Sequence, residues 1–258
     1  MTRPLVFITG ASSGIGQALA LQYYRQGWDL ALVARRTELM AGWAAAQDLA
    51  PARYRVYCAD VSDVAAISAI GAACIAQQGL PDVVIANAGI SLGVDSAYLE
   101  DIAVMQRVYA TNNIGMAATF QPFIKPMRER RRGTLVGIAS MAGIRGLPGH
   151  AAYCSSKAAA ISYCESLRGE CRADGIKVVT IAPGYVDTPL TQKNRYPMPF
   201  LMAPDRFARQ AFKAIQSGGS FRVIPWQMAW VARLLRVLPD ALFDRLLAGQ
   251  PRKHRAAE

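Results

Sequence analysis

Seven short apolar runs recur along the chain, separated by longer stretches whose apolar residues fall at helical spacing. The runs predict β-strands at residues 5–8, 30–34, 54–58, 83–86, 134–138, 178–181 and 221–224. The stretches between them predict helices at 14–26, 37–49, 64–78, 153–173 and 204–217, and a long helix near 98–130 with Pro122 or Pro126 as its expected break. This alternation predicts an α/β fold with one doubly wound parallel sheet, helices on both faces and ligands at the carboxyl ends of the strands.

The first predicted strand runs into a glycine-rich turn, TGASSGIG, which spans Thr9 to Gly16 and leads into the first predicted helix. A buried strand, a glycine turn and a helix N-terminus open a dinucleotide-binding unit of the Rossmann type. Gly10 allows an unusual backbone angle at the end of the strand, and Gly14 and Gly16 leave room for a pyrophosphate beside the free N–H groups of the helix. The spacing GxxxGxG departs from the common GxGxxG, so a tight turn without a ligand is the alternative.

Tyr153 and Lys157 stand four residues apart in YCSSK, and Ser140 lies thirteen residues before the tyrosine. Four residues make about one helical turn, so the phenol and the ammonium project from the same face of a helix. A nearby cation is expected to lower the pKa of the phenol from about 10 towards neutrality, where proton exchange with a substrate oxygen is efficient. A solvated helix face is the alternative for such a pair taken alone.

Taken in order along the chain, these motifs resemble those of the short-chain dehydrogenase/reductase family. They are the glycine turn, Asn87-Ala88-Gly89, Ser140, the pair Tyr153 and Lys157, and Pro183-Gly184 followed by Thr188. The resemblance covers the chain from about residue 5 to about residue 190. It implies a single Rossmann-like oxidoreductase domain over residues 1–258, with a cofactor-binding and catalytic core at 1–190 and a variable part at 191–258 that forms a substrate loop and a helical C-terminal extension.

The resemblance also implies roles for individual residues. Tyr153 would exchange a proton with the substrate oxygen that Ser140 holds. Lys157 would lower the pKa of the tyrosine and bind the nicotinamide ribose. Asn112 would hold a relay water and complete a catalytic tetrad, although Asn113 leaves that assignment ambiguous by one residue. The residues implied to bind the cofactor are Gly10, Ser12, Ser13, Gly14, Ile15, Gly16, Arg35, Arg36, Asp60, Val61, Asn87, Ala88, Gly89, Tyr153, Lys157, Pro183, Gly184, Val186 and Thr188. Asn87 has a structural bridge between strands as its alternative role.

The end of the second predicted strand indicates which dinucleotide is preferred. An acidic residue at this point binds the ribose 2′-hydroxyl of NAD, whereas arginine accommodates the 2′-phosphate of NADP. Here Ala34 is followed by Arg35 and Arg36. Two guanidinium groups and no carboxylate favour NADP(H) over NAD(H), and the alternative is that the arginines simply begin a solvated helix.

The chain carries a net charge of +11 with a pI near 9.7, but it has no aromatic or recognition-helix motif for nucleic acid. We therefore expect no nucleic-acid partner and interpret the basic clusters as solvated surface. These clusters are Arg128, Arg130, Arg131 and Arg132 near a helix end, and Arg252, Lys253 and Arg255 in the tail.

Five cysteines without a CxxC pair predict neither a disulfide framework nor a metal site, and they indicate small buried residues in a reducing, cytoplasmic compartment. The N-terminus passes directly into the first strand, so no cleavable secretion signal is expected.

His150 is expected to line the substrate pocket rather than to act as a base.

The C-terminal part is predicted to form a strand and two apolar helices around Pro239. Its arginines and Pro239 argue against a transmembrane span. Packing on its own domain or on a second subunit is expected, and contact with an anionic membrane surface or a lid over the substrate are the alternatives. The proline-rich segment after Pro183 is expected to be a mobile loop over the substrate.

Together these features lead us to expect an NADP(H)-dependent carbonyl reductase, or alcohol dehydrogenase in reverse, acting on an apolar or lipid-like carbonyl substrate. The family resemblance implies a homodimer or homotetramer formed through the two long predicted helices near 98–130 and 153–173. The rival is a noncatalytic NADP(H)-binding sensor or scaffold, which has no chemical need for Ser140 and Tyr153 together.

Overall fold

A computed structural model describes residues 3–192, 194, 197–249 and 255. Within them, seven strands form one sheet in which every neighbouring pair is parallel, in the order β3-β2-β1-β4-β5-β6-β7. The strands are β1 (Leu5–Thr9), β2 (Asp29–Ala34), β3 (Tyr54–Cys58), β4 (Val83–Ala86), β5 (Gly133–Ile138), β6 (Ile176–Pro183) and β7 (Phe221–Ile224). The predicted doubly wound parallel sheet is confirmed.

The helices cover both faces of this sheet, as the alternating pattern predicted. They are α1 (Gly14–Arg25), α2 (Thr37–Ala46), α3 (Val64–Gln78), α4 (Asp101–Tyr109), α5 (Gly115–Arg130), α6 (Ala151–Cys171), α7 (Pro204–Ser217), α8 (Gln227–Val237) and α9 (Asp240–Leu247). One core lies between the sheet and α1, α2 and α7, and the other lies between the sheet and α3, α5 and α6. Burial of apolar side chains on both faces stabilises the sheet in the middle layer.

The long helix predicted near 98–130 does not break at a proline. Pro122 and Pro126 both lie inside α5, and the interruption is a π-helical turn at Ala110–Ile114 between α4 and α5. Pro122 packs so closely on α3 that a β-carbon at Gly71 would lie 2.6 Å from the proline ring. Helical turns of this wide type often occur at functional sites, and this one carries Asn112.

Two other boundaries differ from the pattern. Helix α2 ends at Ala46 rather than 49, because Asp48 adopts a left-handed backbone angle (φ 51°) that turns the chain and buries Leu49. Helix α6 begins at Ala151, two residues before Tyr153, so the tyrosine lies within the first turn.

In the first basic cluster Arg128, Arg131 and Arg132 are exposed, as expected, and Arg130 is half-buried. Arg130 donates to the carbonyl oxygens of Leu80 and Pro81 at 2.9 and 2.6 Å, and Arg128 forms an ion pair with Asp174 at 2.8 Å. These arginines fasten the end of α5 to neighbouring loops. Of the tail cluster, Arg252 and Lys253 lie outside the described residues.

The C-terminal part forms the predicted pair of helices around Pro239. Met228, Ala232 and Phe243 are buried, so one side of the pair packs on the domain. The opposite side carries a stripe of exposed apolar residues, which we call the outer stripe: Trp226, Trp230, Leu234, Val237, Leu242 and Leu246. No described helix is both long enough and apolar enough to cross a membrane.

Candidate active site

The chain reverses direction across the sheet between β1 and β4, and the site lies at the carboxyl ends of these central strands. There Asn87 donates from its side-chain amide to the carbonyl oxygens of Thr9 and Gly10 at 2.9 and 3.2 Å. The Thr9 hydroxyl in turn accepts hydrogen bonds from the backbone N–H groups of Asn87 and Ala88. Asn87 therefore bridges the two strands, which supports the structural alternative for this residue and fixes the start of the glycine turn.

The glycine turn leaves the N-terminus of α1 open. Ser13 is the N-cap residue but makes no capping hydrogen bond with its side chain, and the first turn has no acidic residue. Gly16 must be glycine, because a β-carbon there would lie 2.2 Å from the carbonyl oxygen of Gly10. The free N–H groups and positive dipole end of this helix fit a pyrophosphate, with Ser12, Ser13, Gly14 and Ile15 half-buried around them.

The loop after β6 comes to the other side of the glycine turn. A β-carbon on Gly14, whose φ is +56°, would lie 3.1 Å from the Thr188 side chain. Thr188 and Val186 are buried, and Gly184 donates its backbone N–H to the Ile224 carbonyl oxygen at 2.8 Å. The structure thus brings Thr188 beside the predicted pyrophosphate site. Lys193, Arg195 and Tyr196 of the proline-rich segment lie outside the described residues.

The reactive side chains meet at the carboxyl end of β5. Ser140 follows that strand, and its side chain shares a hydrogen bond with the Tyr153 hydroxyl on α6. The Ser140 hydroxyl also accepts from the backbone N–H of Ala142 at 3.1 Å, which fixes its position. Tyr153 is half-buried and retains exposed surface, so a substrate oxygen can reach both hydroxyls.

Lys157 lies one turn after Tyr153 and is almost completely buried. Its ammonium donates to the carbonyl oxygen of Ile138 at 2.9 Å and lies 5.8 Å from the centroid of the tyrosine ring. Burial lowers the pKa of Lys157 to about 8, because the interior disfavours its charged form.

The expected lowering of the Tyr153 pKa is not what the structure shows. Burial raises the pKa of Tyr153, and the hydrogen bond from Ser140 offsets only part of this rise. Lys157 directs its charge at Ile138 rather than at the phenol. The two pKa values therefore shift in opposite directions, that of the phenol upwards and that of the ammonium downwards, because burial favours the neutral form of each group.

The π-helical turn at Ala110–Ile114 places the Asn112 side chain in the site. Its side-chain oxygen accepts from Ile90 N at 2.9 Å, and its amide donates to Ile90 O at 3.0 Å and to the Ser156 hydroxyl at 2.9 Å. Asn113 instead donates to the carbonyl oxygen of Ser156 at 2.8 Å. Asn112 is fully buried and Asn113 only half-buried, so Asn112 is the residue that joins the β4 segment to α6.

Gly89 lies between two members of the predicted tetrad. A β-carbon at this position would lie 3.2 Å from the side-chain oxygen of Asn112 and 3.4 Å from the ammonium nitrogen of Lys157. A larger residue would press on both side chains. The structure therefore brings Asn112, Ser140, Tyr153 and Lys157 to one place.

The arginines predicted to bind the ribose 2′-phosphate lie at the edge of this site. Arg35 and Arg36 are exposed after β2, and Arg35 pairs with Asp60 at 3.2 Å. Burial pushes the pKa of Asp60 up, but hydrogen bonds from Ser62 and the Arg35 guanidinium outweigh it and hold this pKa below its usual range. Val61 is buried against the first residue of α5, where a β-carbon at Gly115 would lie 2.8 Å from it.

Sequence reasoning missed three residues that shape the site. Thr9 holds the Asn87-Ala88 backbone, Ser156 receives the Asn112 amide, and Arg145 joins the loop of Ser140 to the C-terminal helices. Ser156 stands beside Lys157 in YCSSK, so its position on the helix was the available signal. Arg145 gave none, because its partners lie about ninety residues away in the sequence.

His150 lies at the start of α6 and is buried, with its Nδ1 atom 3.0 Å from the Pro148 carbonyl oxygen.

The five cysteines are free thiols. Cys74, Cys154, Cys164 and Cys171 are buried, as expected, whereas Cys58 is exposed.

Comparison with known proteins agrees with this geometry. The short chain dehydrogenase family matches residues 4–198. An uncharacterized oxidoreductase from Myxococcus xanthus is 39% identical over 249 residues, which cover 95% of this chain and 96% of the relative. The chain belongs to the short-chain dehydrogenase/reductase family, whose members are oxidoreductases that use NAD(P) cofactors.

Solved structures share the fold. Levodione reductase superposes with a TM-score of 0.80 at 25% identity, covering 89% of this chain and 99% of its own. A structure of ElxO with NADP bound superposes with a TM-score of 0.77 at 23% identity, covering 86% of this chain and 97% of its own. The Rossmann-like fold inferred from the sequence is confirmed.

Proposed function

We propose that this chain is an NADP(H)-dependent oxidoreductase that interconverts a ketone or aldehyde with an alcohol, and that its substrate is apolar or lipid-like. The observation that carries the proposal is the hydrogen bond between the Ser140 and Tyr153 side chains, with the Lys157 ammonium buried one helical turn away. A binding protein gains nothing from two hydroxyl groups held together at the exposed end of a strand. A carbonyl reductase needs both to hold and protonate one oxygen.

In this proposal Tyr153 is the general acid in reduction and the general base in oxidation. When bound, the nicotinamide cofactor donates or accepts the hydride. Ser140 donates a hydrogen bond to the substrate oxygen and stabilises the negative charge that develops there. Lys157 binds the ribose hydroxyls and returns a proton to Tyr153. Asn112 joins the segment after β4 to α6, and it would hold the relay water.

The preference for NADP(H) rests on the charge at the end of β2. Arg35 and Arg36 are exposed there, and Ala34 leaves no carboxylate to repel a 2′-phosphate. Arg35 pairs with Asp60 at 3.2 Å in an exposed ion pair, so a 2′-phosphate would compete with this carboxylate for the guanidinium. ElxO, which shares the fold, has a structure with NADP bound.

We also propose that the chain works as one Rossmann-fold domain in a cytoplasmic homodimer or homotetramer, with no nucleic-acid partner. The family resemblance suggests α4, α5 and α6 as the contact surface between subunits. Apolar residues exposed near the start of α4 and α5, namely Leu99, Ile102 and Ile114, support this choice.

The test of the chemistry is Tyr153→Phe, which keeps the ring and removes the acid. With NADPH and a panel of apolar ketones, turnover should fall by roughly a thousandfold or more while NADPH binding is retained. The matched control is Tyr163→Phe, which removes a hydroxyl from the same helix at a ring stacked on Phe120, and it should stay close to wild type. Near-normal turnover by Tyr153→Phe would refute the mechanism, and a wild-type protein that binds NADPH but reduces no carbonyl would favour the sensor.

A further inference from the structure

Arg145 lies in the loop between β5 and α6, five residues after Ser140. Its guanidinium donates to the carbonyl oxygens of Leu235 and Leu238, the latter at 2.6 Å, and forms an ion pair with Asp240 at 2.7 Å. The same group lies 3.9 Å from the centroid of the Phe243 ring. Only 16% of the Arg145 side chain is exposed, so these contacts account for most of its surroundings.

These contacts join the end of α8 to the start of α9 at the Pro239 turn. The last carbonyl groups of α8 have no partner within the helix, and a cation there also interacts favourably with the helix dipole. Asp240 begins α9, where a carboxylate is favourable for the opposite reason. One arginine from the Ser140 loop therefore fixes the angle between the two C-terminal helices.

The other end of α8 contacts the turn that follows β6. A β-carbon on Gly184 would lie 3.1 Å from Met228 and 3.4 Å from Pro225, just before α8. The Gly184 N–H also bonds to Ile224 at the end of β7. Helix α8 thus touches the Pro183-Gly184 turn at its start and the Ser140 loop at its end.

We propose that Arg145 is a positioning residue that holds the α8–α9 pair against the Ser140 loop as a wall of the substrate site. This rests on the proposed function and deepens it, because it assigns substrate selection to the C-terminal helices. Met228, Ala232 and Phe243 are buried where the pair packs on the domain, and the two loops that the pair contacts carry Ser140 and Gly184. The partners of Arg145 itself, Leu235, Leu238, Asp240 and Phe243, are not among the residues assigned to the cofactor.

Two variants test the proposal. Arg145→Gln removes the charge, the ion pair and most of the donors, whereas Arg145→Lys keeps the charge but cannot reach both carbonyl groups and the carboxylate at once. The control is Arg236→Gln, which removes an exposed arginine from the same helix pair. KM and kcat are measured with a short and a long apolar ketone that the wild type reduces, and the Kd for NADPH is measured separately.

We expect Arg145→Gln to raise KM by about tenfold or more for the long ketone, and less for the short one. The variant loses several charge-assisted hydrogen bonds that hold the α8–α9 pair, and the long ketone is the one that reaches this wall. The Kd for NADPH should stay within about twofold, Arg145→Lys should recover part of the loss, and Arg236→Gln should match wild type. An unchanged KM for both ketones would overturn the proposal. A rise in the Kd for NADPH as large as the rise in KM would also overturn the proposal, since Arg145 would then support the fold as a whole.

Hydrogen exchange of residues 227–247 separates this proposal from the proposed function. In Arg145→Gln these amides should exchange faster while those of α1 do not change. If the wild type reduces no ketone, the proposed function fails, and faster exchange with normal NADPH binding would still show the positioning contact. Unchanged exchange would reject the contact whether or not the protein is an enzyme.

Discussion

Replacing Lys157 with methionine should make the protein more stable at neutral pH while abolishing its activity. Lys157 is 4% exposed, and burial lowers the pKa of its ammonium group from 10.5 to about 8. Each pKa unit corresponds to about 1.36 kcal/mol, so keeping this lysine charged costs the folded protein about 3 kcal/mol. Lys157→Met removes that cost and loses a hydrogen bond to Ile138 that contributes about 1 kcal/mol. The variant should therefore be about 2 kcal/mol more stable at pH 7.

The sign of the pH dependence follows from the lowered pKa. Below about pH 8 the lysine is charged in both the folded and the unfolded chain, so the folded protein bears the full cost. Between about 8 and 10.5 the folded lysine is neutral while the unfolded lysine still binds a proton, so the cost shrinks as pH rises. Above 10.5 both are neutral and the cost is gone. The advantage of the variant should fall by about 2.5 kcal/mol between pH 7 and pH 10.

Urea unfolding followed by tryptophan fluorescence at pH 7 and pH 10 measures this difference. Lys213→Met is the matched control, since Lys213 is exposed to solvent on α7. Its stability relative to wild type should not depend on pH. If Lys157→Met is less stable than wild type by the same margin at both pH values, the lysine is not held charged in a costly environment and the reasoning is wrong.

Two further predictions concern the exposed arginines. Arg35→Asp combined with Arg36→Ala should weaken NADPH binding by about tenfold or more and NADH binding far less, because it removes phosphate partners and adds repulsion; equal losses in fluorescence titrations would show that these residues do not read the phosphate. The outer stripe lies beside Arg233 and Arg236 on a helix without carboxylates, and Arg233 stacks on Trp230 at 5.1 Å. We therefore expect sedimentation with phosphatidylserine vesicles that weakens as salt rises and is lost in Arg233→Glu, Arg236→Glu. Self-association without vesicle binding would assign the stripe to a second subunit.

Much of the fold could be predicted because its signals are local. Buried parallel strands are continuous apolar runs, as in β4, whose predicted bounds match the structure. The predicted bounds of β3 and β7 match as well, although these edge strands are only partly buried. The glycine turn is equally local: Gly16 has no room for a side chain because of the backbone six residues before it. The order of these motifs, together with Tyr153 and Lys157, was enough to indicate the family, which the comparisons confirm.

The sequence by itself therefore determined the sheet, the glycine turn and which side chains stand at the ends of the strands. Only the tertiary structure decided what those side chains contact. Asn112 depends on a π-helical turn that no proline marks, and Lys157 donates a hydrogen bond to the carbonyl group of Ile138. Arg145 meets the C-terminal helices across about ninety residues of chain. Such contacts depend on how separate elements pack together, and neither periodicity nor spacing within one element carries that information.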